Sequence, residues 1–117
     1  MRNATLIAAM AAIASFAAVA QAPAGDAARG KALYLKNFCH TCHGTAGQGG
    51  DRGSGPRIAY DVWPWEAFAQ AVRRPRESMP RYPVESVSDG ELADIYAHIV
   101  AQKRGPKAAD IPLLRGD

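Results

Sequence analysis

The chain is short, lacks a large excess of charge and has few cysteines and methionines. With 117 residues it is one domain at most. Fourteen basic and 11 acidic side chains leave a formal net charge of +3, which does not indicate a nucleic-acid partner. No stretch indicates a pocket for a small-molecule substrate. The two cysteines and three methionines therefore carry most of the information about chemistry.

The first 20 residues have the pattern of a secretory signal peptide. Arg2 supplies a positive n-region, residues 6–20 form an uncharged, alanine-rich stretch, and residues 18–20 (Ala-Val-Ala) are an A-x-A cleavage site. We expect cleavage after Ala20, which removes Arg2, lowers the net charge from +3 to +2 and leaves residues 21–117 in the periplasm. The alternative is a retained segment that tethers the protein to the membrane, although its apolar run is near the lower limit for spanning a bilayer.

The two cysteines lie three positions apart in Cys39–His43, which reads Cys-His-Thr-Cys-His. Two cysteines at this spacing, followed directly by a histidine, indicate attachment of a c-type haem. Each thiol adds to one vinyl group of the haem, and the short arc between them fits the distance between the vinyls. His43 then comes to lie under the iron as the proximal ligand. The sequence predicts one covalent haem c, anchored by Cys39 and Cys42.

Three other interpretations of the same cysteines are weaker. A redox pair of the thioredoxin type needs a βαβ context, and no strand pattern surrounds this motif. A zinc site needs four ligands. Cys39, Cys42 and His43 would need one of the two remaining histidines as the fourth ligand, and no spacing pattern supports such a set. A disulfide between the two cysteines would close a very small loop and stabilise the chain little.

Three segments have helical patterns, so the predicted fold class is all-α. The first helix follows the N-cap Asp26 and runs from 27 to about 37. The second opens within residues 61–66 and ends before Pro75. The last follows a capping box at residues 88–91 and runs to about 102. Gly30, inside the first helix, is either a glycine tolerated at a cost of about 1 kcal/mol or the mark of a close crossing with the last helix, and we favour the crossing.

Two loops between these helices carry candidate site residues. Residues 44–55 are rich in glycine and are expected to wrap one edge of the haem. Pro56 leaves a free carbonyl, a suitable acceptor for the second N–H of a ligating histidine; the alternative is an ordinary turn. Residues 75–83 contain three prolines, so they form an irregular loop. Its Met79 is the one methionine outside the signal segment, and its soft thioether suits the sixth position on the iron.

These features together resemble the class I monohaem cytochromes c. The resemblance extends from about Asp26 to Gln102 of a domain spanning 21–117, with 103–117 as a tail. It is carried by Gly30, Tyr34, Cys39–His43, Gly55, Pro56, Met79, Pro80 and residues 92–96. It implies a small fold of three main helices and haem-enclosing loops, in which the first and last helices cross. It also implies thioether bonds at Cys39 and Cys42, axial iron ligands at His43 and Met79, and no catalytic residues.

Several residues have two interpretations each. His98, in the last helix, is a packed side chain or a rival iron ligand, and we favour packing. Trp63 and Trp65 are core residues or donors to a haem propionate, and core is favoured. The basic cluster Arg73, Arg74, Arg76 and Arg81 is a solvated or propionate-neutralising face, or a docking surface. In the tail, Ile111, Leu113 and Leu114 are candidates for packing back onto the body.

The function that the resemblance implies is single-electron transfer by a soluble periplasmic carrier. Its partners would be redox proteins: a periplasmic dehydrogenase, a terminal oxidase or another cytochrome. One alternative is a dedicated haem c subunit of a dehydrogenase complex, with Trp63 to Trp65 and the tail as the interface. Another is a haem enzyme or gas sensor, which would need an open iron site and therefore conflicts with Met79.

Overall fold

The computed structural model describes residues 21–50 and 54–115. The predicted signal segment lies outside them. Four α-helices follow one another: α1 (Ala27–Lys36), α2 (Cys39–His43), α3 (Trp65–Arg73) and α4 (Asp89–Val100), with 3₁₀ turns at Ala108–Asp110 and Pro112–Leu114. The described residues contain no strand, which confirms the all-α prediction. Nor does any helix of this part reach the length and apolar character needed to cross a bilayer.

Helix α1 begins and ends at local hydrogen bonds. The side chain of Asp26 accepts from the backbone N–H of Arg29 at 2.9 Å, which satisfies one of the free donors of the first turn. At the other end, the amide of Asn37 donates to the Leu33 carbonyl at 2.9 Å. Phe38 then takes a left-handed backbone conformation with φ of 59°, and α2 starts at the next residue. The haem motif therefore follows α1 after one sharp turn.

The packing of α1 against α4 is the main contact of the fold. A Cβ placed on Gly30 would overlap the carbonyl oxygen of Asp94 in α4, so only glycine allows the two backbones to come this close. The predicted crossing near Gly30 is thus confirmed. Leu33 and Tyr34 from α1 and Leu92, Ile95 and Ile99 from α4 are buried in one apolar cluster beside it.

Asp94 ties the same crossing together by hydrogen bonds. Its buried carboxylate accepts from Arg29 Nε at 2.5 Å and Arg29 Nη2 at 2.9 Å, and from the backbone N–H of Asp26 at 2.7 Å. These donors favour the ionised form, so the guanidinium of Arg29 and the N–H of Asp26 lower the pKa of Asp94. The start of α1 is therefore held to the middle of α4.

Helix α4 begins with the predicted capping box. The Ser88 hydroxyl accepts from the backbone N–H of Glu91, and the Glu91 carboxylate accepts from the backbone N–H of Ser88 at 2.8 Å. Both interactions satisfy backbone donors at the helix start. The helix ends at Val100, two residues before the predicted end.

Helix α3 and the tail differ from the predictions in part. The helix starts at Trp65 with Pro64 as its N-cap, so Pro64 precedes the first turn. Trp65 packs edge-on against Tyr96, but Trp63 is 63% exposed and the core assignment is wrong for it.

The expectation that the tail packs back onto the body is also wrong for two residues. Leu113 is 94% exposed and Leu114 63%, because the 3₁₀ turn at Pro112–Leu114 directs both into solvent.

Replacing Gly30 with alanine should destabilise the protein, because the new methyl group would force the two helices apart. We expect Gly30→Ala to lower the free energy of unfolding by about 2 kcal/mol or more. The matched control is Gly90→Ala in the first turn of α4, where a Cβ would meet no atom within 4 Å; alanine there should be neutral or stabilise by up to ~1 kcal/mol. Thermal unfolding of both holoproteins measures the difference. Equal effects of the two changes would contradict the close crossing.

Candidate haem site

One cavity of about 830 Å³ lies beside the α1–α4 crossing. Its volume is within the range of ~300–1,000 Å³ found for small-molecule and cofactor sites. Its walls come from α2, residues 54–58, α3, the loop after α3, and α4. Phe68, Val72, Leu92 and Ile95 make much of this lining apolar. A site of this kind suits a large, flat and mostly apolar cofactor.

Both cysteines of α2 line this cavity. They are free thiols, each half-buried, which contradicts the interpretation that they form a disulfide. Burial raises the pKa of Cys39 to about 11, so its thiol is protonated at neutral pH. The Thr41 hydroxyl donates to the Phe38 carbonyl at 2.7 Å and fixes the first turn of this short helix. One wall of the cavity therefore carries the two thiols of Cys39 and Cys42.

His43 lines the same cavity and is only 8% exposed. Its Nδ1 lies 2.8 Å from the Pro56 carbonyl oxygen, the hydrogen bond that the sequence predicts. Because a carbonyl can only accept, Nδ1 must carry the proton, and the lone pair of Nε2 is left for a metal. This arrangement, in which a ligating imidazole donates its other N–H to the protein, fixes the tautomer and orients the ring.

Close packing at Gly55 places Pro56 within reach of His43. A Cβ on Gly55 would lie 2.5 Å from the carbonyl oxygen of Cys42, so a side chain at this position would push the loop away from α2. On the other side, the Tyr34 hydroxyl of α1 donates to the Gly44 carbonyl at 2.7 Å. Gly44, directly after His43, is thus tied to α1. Gly55, directly before the Pro56 that faces His43, is held close to α2.

Met79 reaches the cavity from the loop after α3. Residues 75–82, which we call the distal segment, contain no helix or strand, as their prolines predict. Met79 itself is half-buried, between the exposed Ser78 and Pro80. The structure therefore brings Cys39, Cys42, His43 and Met79 together around one cavity.

The cavity and its lining fit a haem and do not fit the other interpretations. The described residues contain no strand, whereas a thioredoxin-type motif lies in a βαβ unit. Within the same residues, no three histidine, cysteine, aspartate or glutamate side chains are grouped to hold a metal ion, whereas structural zinc takes four ligands. A haem needs only two thiols, one oriented imidazole and an apolar pocket from the protein.

Comparison with protein families agrees with this geometry. A family model described as "cytochrome C oxidase, cbb3-type, subunit III" matches residues 25–99, most of the described chain. The chain belongs to this family of c-type cytochrome domains. Searches of curated proteins and of solved structures gave no match. As a c-type cytochrome with the Cys39–His43 motif, the protein carries one covalently bound haem c with its iron, and its role is electron transfer.

The four arginines of the basic cluster have different surroundings in this cytochrome. Arg73 donates to the carbonyls of Tyr82 at 2.9 Å and Val87 at 2.6 Å and pairs with Asp89 at 2.7 Å. Its side chain is only 18% exposed, so the expectation of a solvated or docking role is wrong for Arg73. Arg74 and Arg76 line the haem cavity, and Arg81 lines a separate surface depression.

His98 lies away from the haem cavity. It is buried in α4, with its ring 5.5 Å from that of Tyr34 and its Nδ1 at 3.1 Å from Gln102 Nε2. Its other ring nitrogen, Nε2, is buried and has no hydrogen-bond partner among the described residues. Burial, together with the positive charge of Lys31, lowers the pKa of His98. The side chain is thus packed, as expected.

Sequence reasoning missed two residues at the cavity. Tyr82 lines it and donates its hydroxyl to the Asn37 carbonyl at 2.8 Å. Phe38, 68% exposed, also lines it. The left-handed turn at Phe38 carries no glycine or asparagine signal, and the Tyr82–Asn37 contact joins residues 45 positions apart. Neither feature has a local pattern by which it could be found.

The buried neutral His98 should make stability depend on pH. Because its pKa is lower in the folded chain, the unfolded chain takes up a proton first as the pH falls below about 6.5. Stability that is complete above this pH is then lost as the pH falls toward the folded pKa. We expect His98→Phe to reduce the loss of unfolding free energy between pH 7 and pH 5, measured by denaturant titration of the holoprotein. An unchanged pH dependence would show that His98 does not contribute.

Proposed function

We propose that this c-type cytochrome is an exported carrier of single electrons, with its haem iron bound axially by His43 and Met79. The observation that supports this most is that both side chains line one cavity, with the His43 ring already oriented by Pro56. Methionine and histidine together are a known axial pair of cytochromes c.

In this proposal the protein supplies binding, orientation and a low-polarity environment, while the haem supplies the one-electron iron couple. Cys39 and Cys42 hold the macrocycle in place. His43, with its proton kept at Nδ1, offers Nε2 to the iron. Met79 would supply a thioether as the second ligand, which favours the ferrous state and raises the potential. If both residues bind the iron, no coordination site would remain for a substrate or a gas.

Access for redox partners is proposed at the rim of the cavity. Trp63 and Phe38 line the cavity and are 63% and 68% exposed, and aromatic side chains are enriched at protein contact sites. Arg74 and Arg76, also exposed, add positive charge to the same lining. This rim suits a protein partner with an acidic surface, such as a dehydrogenase, a terminal oxidase or another cytochrome.

A second candidate is a haem subunit fixed within an oxidoreductase complex. The description of the matching family, a subunit of a cbb3-type cytochrome c oxidase, favours this role, and so does the exposed pair Leu113 and Leu114 in the tail. The mass of the exported protein in dilute solution distinguishes the two candidates. A monomer supports the free carrier, and co-purification with an oxidase or dehydrogenase supports the fixed subunit.

The Met79 ligand is tested by Met79→Ala in the holoprotein. We expect loss of the near-infrared sulfur-to-iron band of the ferric state, a lower reduction potential, and binding of carbon monoxide by the ferrous protein at neutral pH, since the sixth position would be open. The matched control is Arg81→Ala, in the same loop but outside the haem cavity, which should keep the band. A wild-type protein without the band, or with ready carbon monoxide binding, would favour an enzyme or gas sensor instead.

Export is tested at the N-terminus of the mature protein. If residues 1–20 are a cleaved signal, N-terminal sequencing of the protein from the periplasmic fraction should begin at Gln21. A protein that begins at Met1 and sediments with membranes would instead show a tethered carrier.

A further inference from the structure

The distal segment carries Met79, yet it has little structure of its own to hold this residue in place. It contains two prolines and no helix or strand, and Glu77, two residues before Met79, has a positive φ of 59°. The segment is preceded by α3 and followed by turns that lead to α4. Its position therefore depends on contacts with the rest of the molecule.

Tyr82 supplies these contacts. In the described part of the chain, the hydrogen bonds that join residues 75–82 to α3 and to the end of α1 all pass through this residue. Its backbone N–H donates to the Val72 carbonyl at 3.3 Å, and its carbonyl accepts from Arg73 Nη1 at 2.9 Å. Its hydroxyl donates to the Asn37 carbonyl at 2.8 Å.

The hydroxyl contact connects the two sides of the haem cavity. Asn37 is the C-cap of α1 and lies two residues before Cys39, on the side that carries the thiols and His43. Tyr82 lies three residues after Met79, and its ring lines the cavity. Arg73 adds a second anchor, because the same guanidinium also holds Val87 and Asp89 at the start of α4. Tyr82 thus joins the Met79 loop directly to α3 and to the C-cap of α1, and through Arg73 to the start of α4.

We propose that Tyr82, through Arg73 and Asn37, is the positioning residue that determines how firmly Met79 stays on the iron. This inference rests on the proposed axial role of Met79. We expect Met79 to leave the iron by a movement of its loop, and such a movement strains the hydrogen bonds of Tyr82. An external ligand binds only to the fraction of molecules in which Met79 has left, so its apparent affinity reports that fraction.

The experiment is a titration of the ferric holoprotein with imidazole, followed by absorbance. Tyr82→Phe removes the hydroxyl and keeps the ring. Because one hydrogen bond contributes about 1 kcal/mol, or a factor of about five, imidazole should bind about five times more tightly to this variant. Tyr96→Phe is the matched control: its hydroxyl donates to the Trp63 carbonyl at 2.9 Å, outside the distal segment. It should lose comparable thermal stability and keep the wild-type imidazole affinity.

Arg73→Lys provides a second, independent variant. Lysine keeps the positive charge but lacks the planar fork that contacts two carbonyls and a carboxylate together. Imidazole should again bind more tightly than to the wild type. An unchanged affinity would overturn the part of the proposal assigned to Arg73.

The outcomes separate this proposal from the proposed function. If Met79→Ala binds imidazole no more tightly than the wild type, Met79 is not the ligand, and both proposals are overturned. If Met79→Ala opens the site while Tyr82→Phe does not, only the role of Tyr82 is overturned. Equal tightening in Tyr82→Phe and Tyr96→Phe would also overturn it, since the effect would then reflect general loosening.

Discussion

The backbone contact between α1 and α4 at Gly30 is the constraint on which the rest of the structure depends. Because no side chain separates the helices there, the apolar faces on either side of the crossing come into direct contact. This fixes the direction in which α1 ends and hence where the haem motif begins. It also fixes Leu92 and Ile95 as one wall of the haem cavity. Both the attachment point and the pocket are therefore set by one glycine and its neighbours.

The elements that sequence reasoning predicted well are those with short-range signals. The haem motif, the capping box at Ser88 and the prolines around Met79 each act within a few residues, and each has the expected form. The Pro56 acceptor was predictable because a proline carbonyl near a ligating histidine has few competitors. Gly30 was predictable because a helix contains glycine at a cost of about 1 kcal/mol, which close packing can offset.

The features that were not predicted depend on tertiary packing. Arg73 looked like one of four similar surface arginines, yet it is the one of the four that hydrogen-bonds to Val87 and Asp89 at the start of α4. The exposure of Trp63 follows from where α3 begins, since Trp63 lies two residues before the helix and lines the cavity instead of the core. The link from Tyr82 to Asn37 joins two loops distant in sequence. No local pattern encodes such contacts, so only the assembled chain reveals them.

The ion pair between Arg29 and Asp94 has a consequence for acid tolerance. A carboxylate whose pKa is lower in the folded chain than the ordinary value near 3.8 contributes its full stabilisation above that value. This contribution is lost progressively as the pH falls from that ordinary value toward the lower pKa of the folded chain, because the unfolded chain takes up the proton first. The hydrogen bonds of Asp94 therefore stay formed across the neutral and weakly acidic range. Acid-induced loosening in that range must begin at another group, such as the buried His98 that packs against Tyr34 between the same two helices.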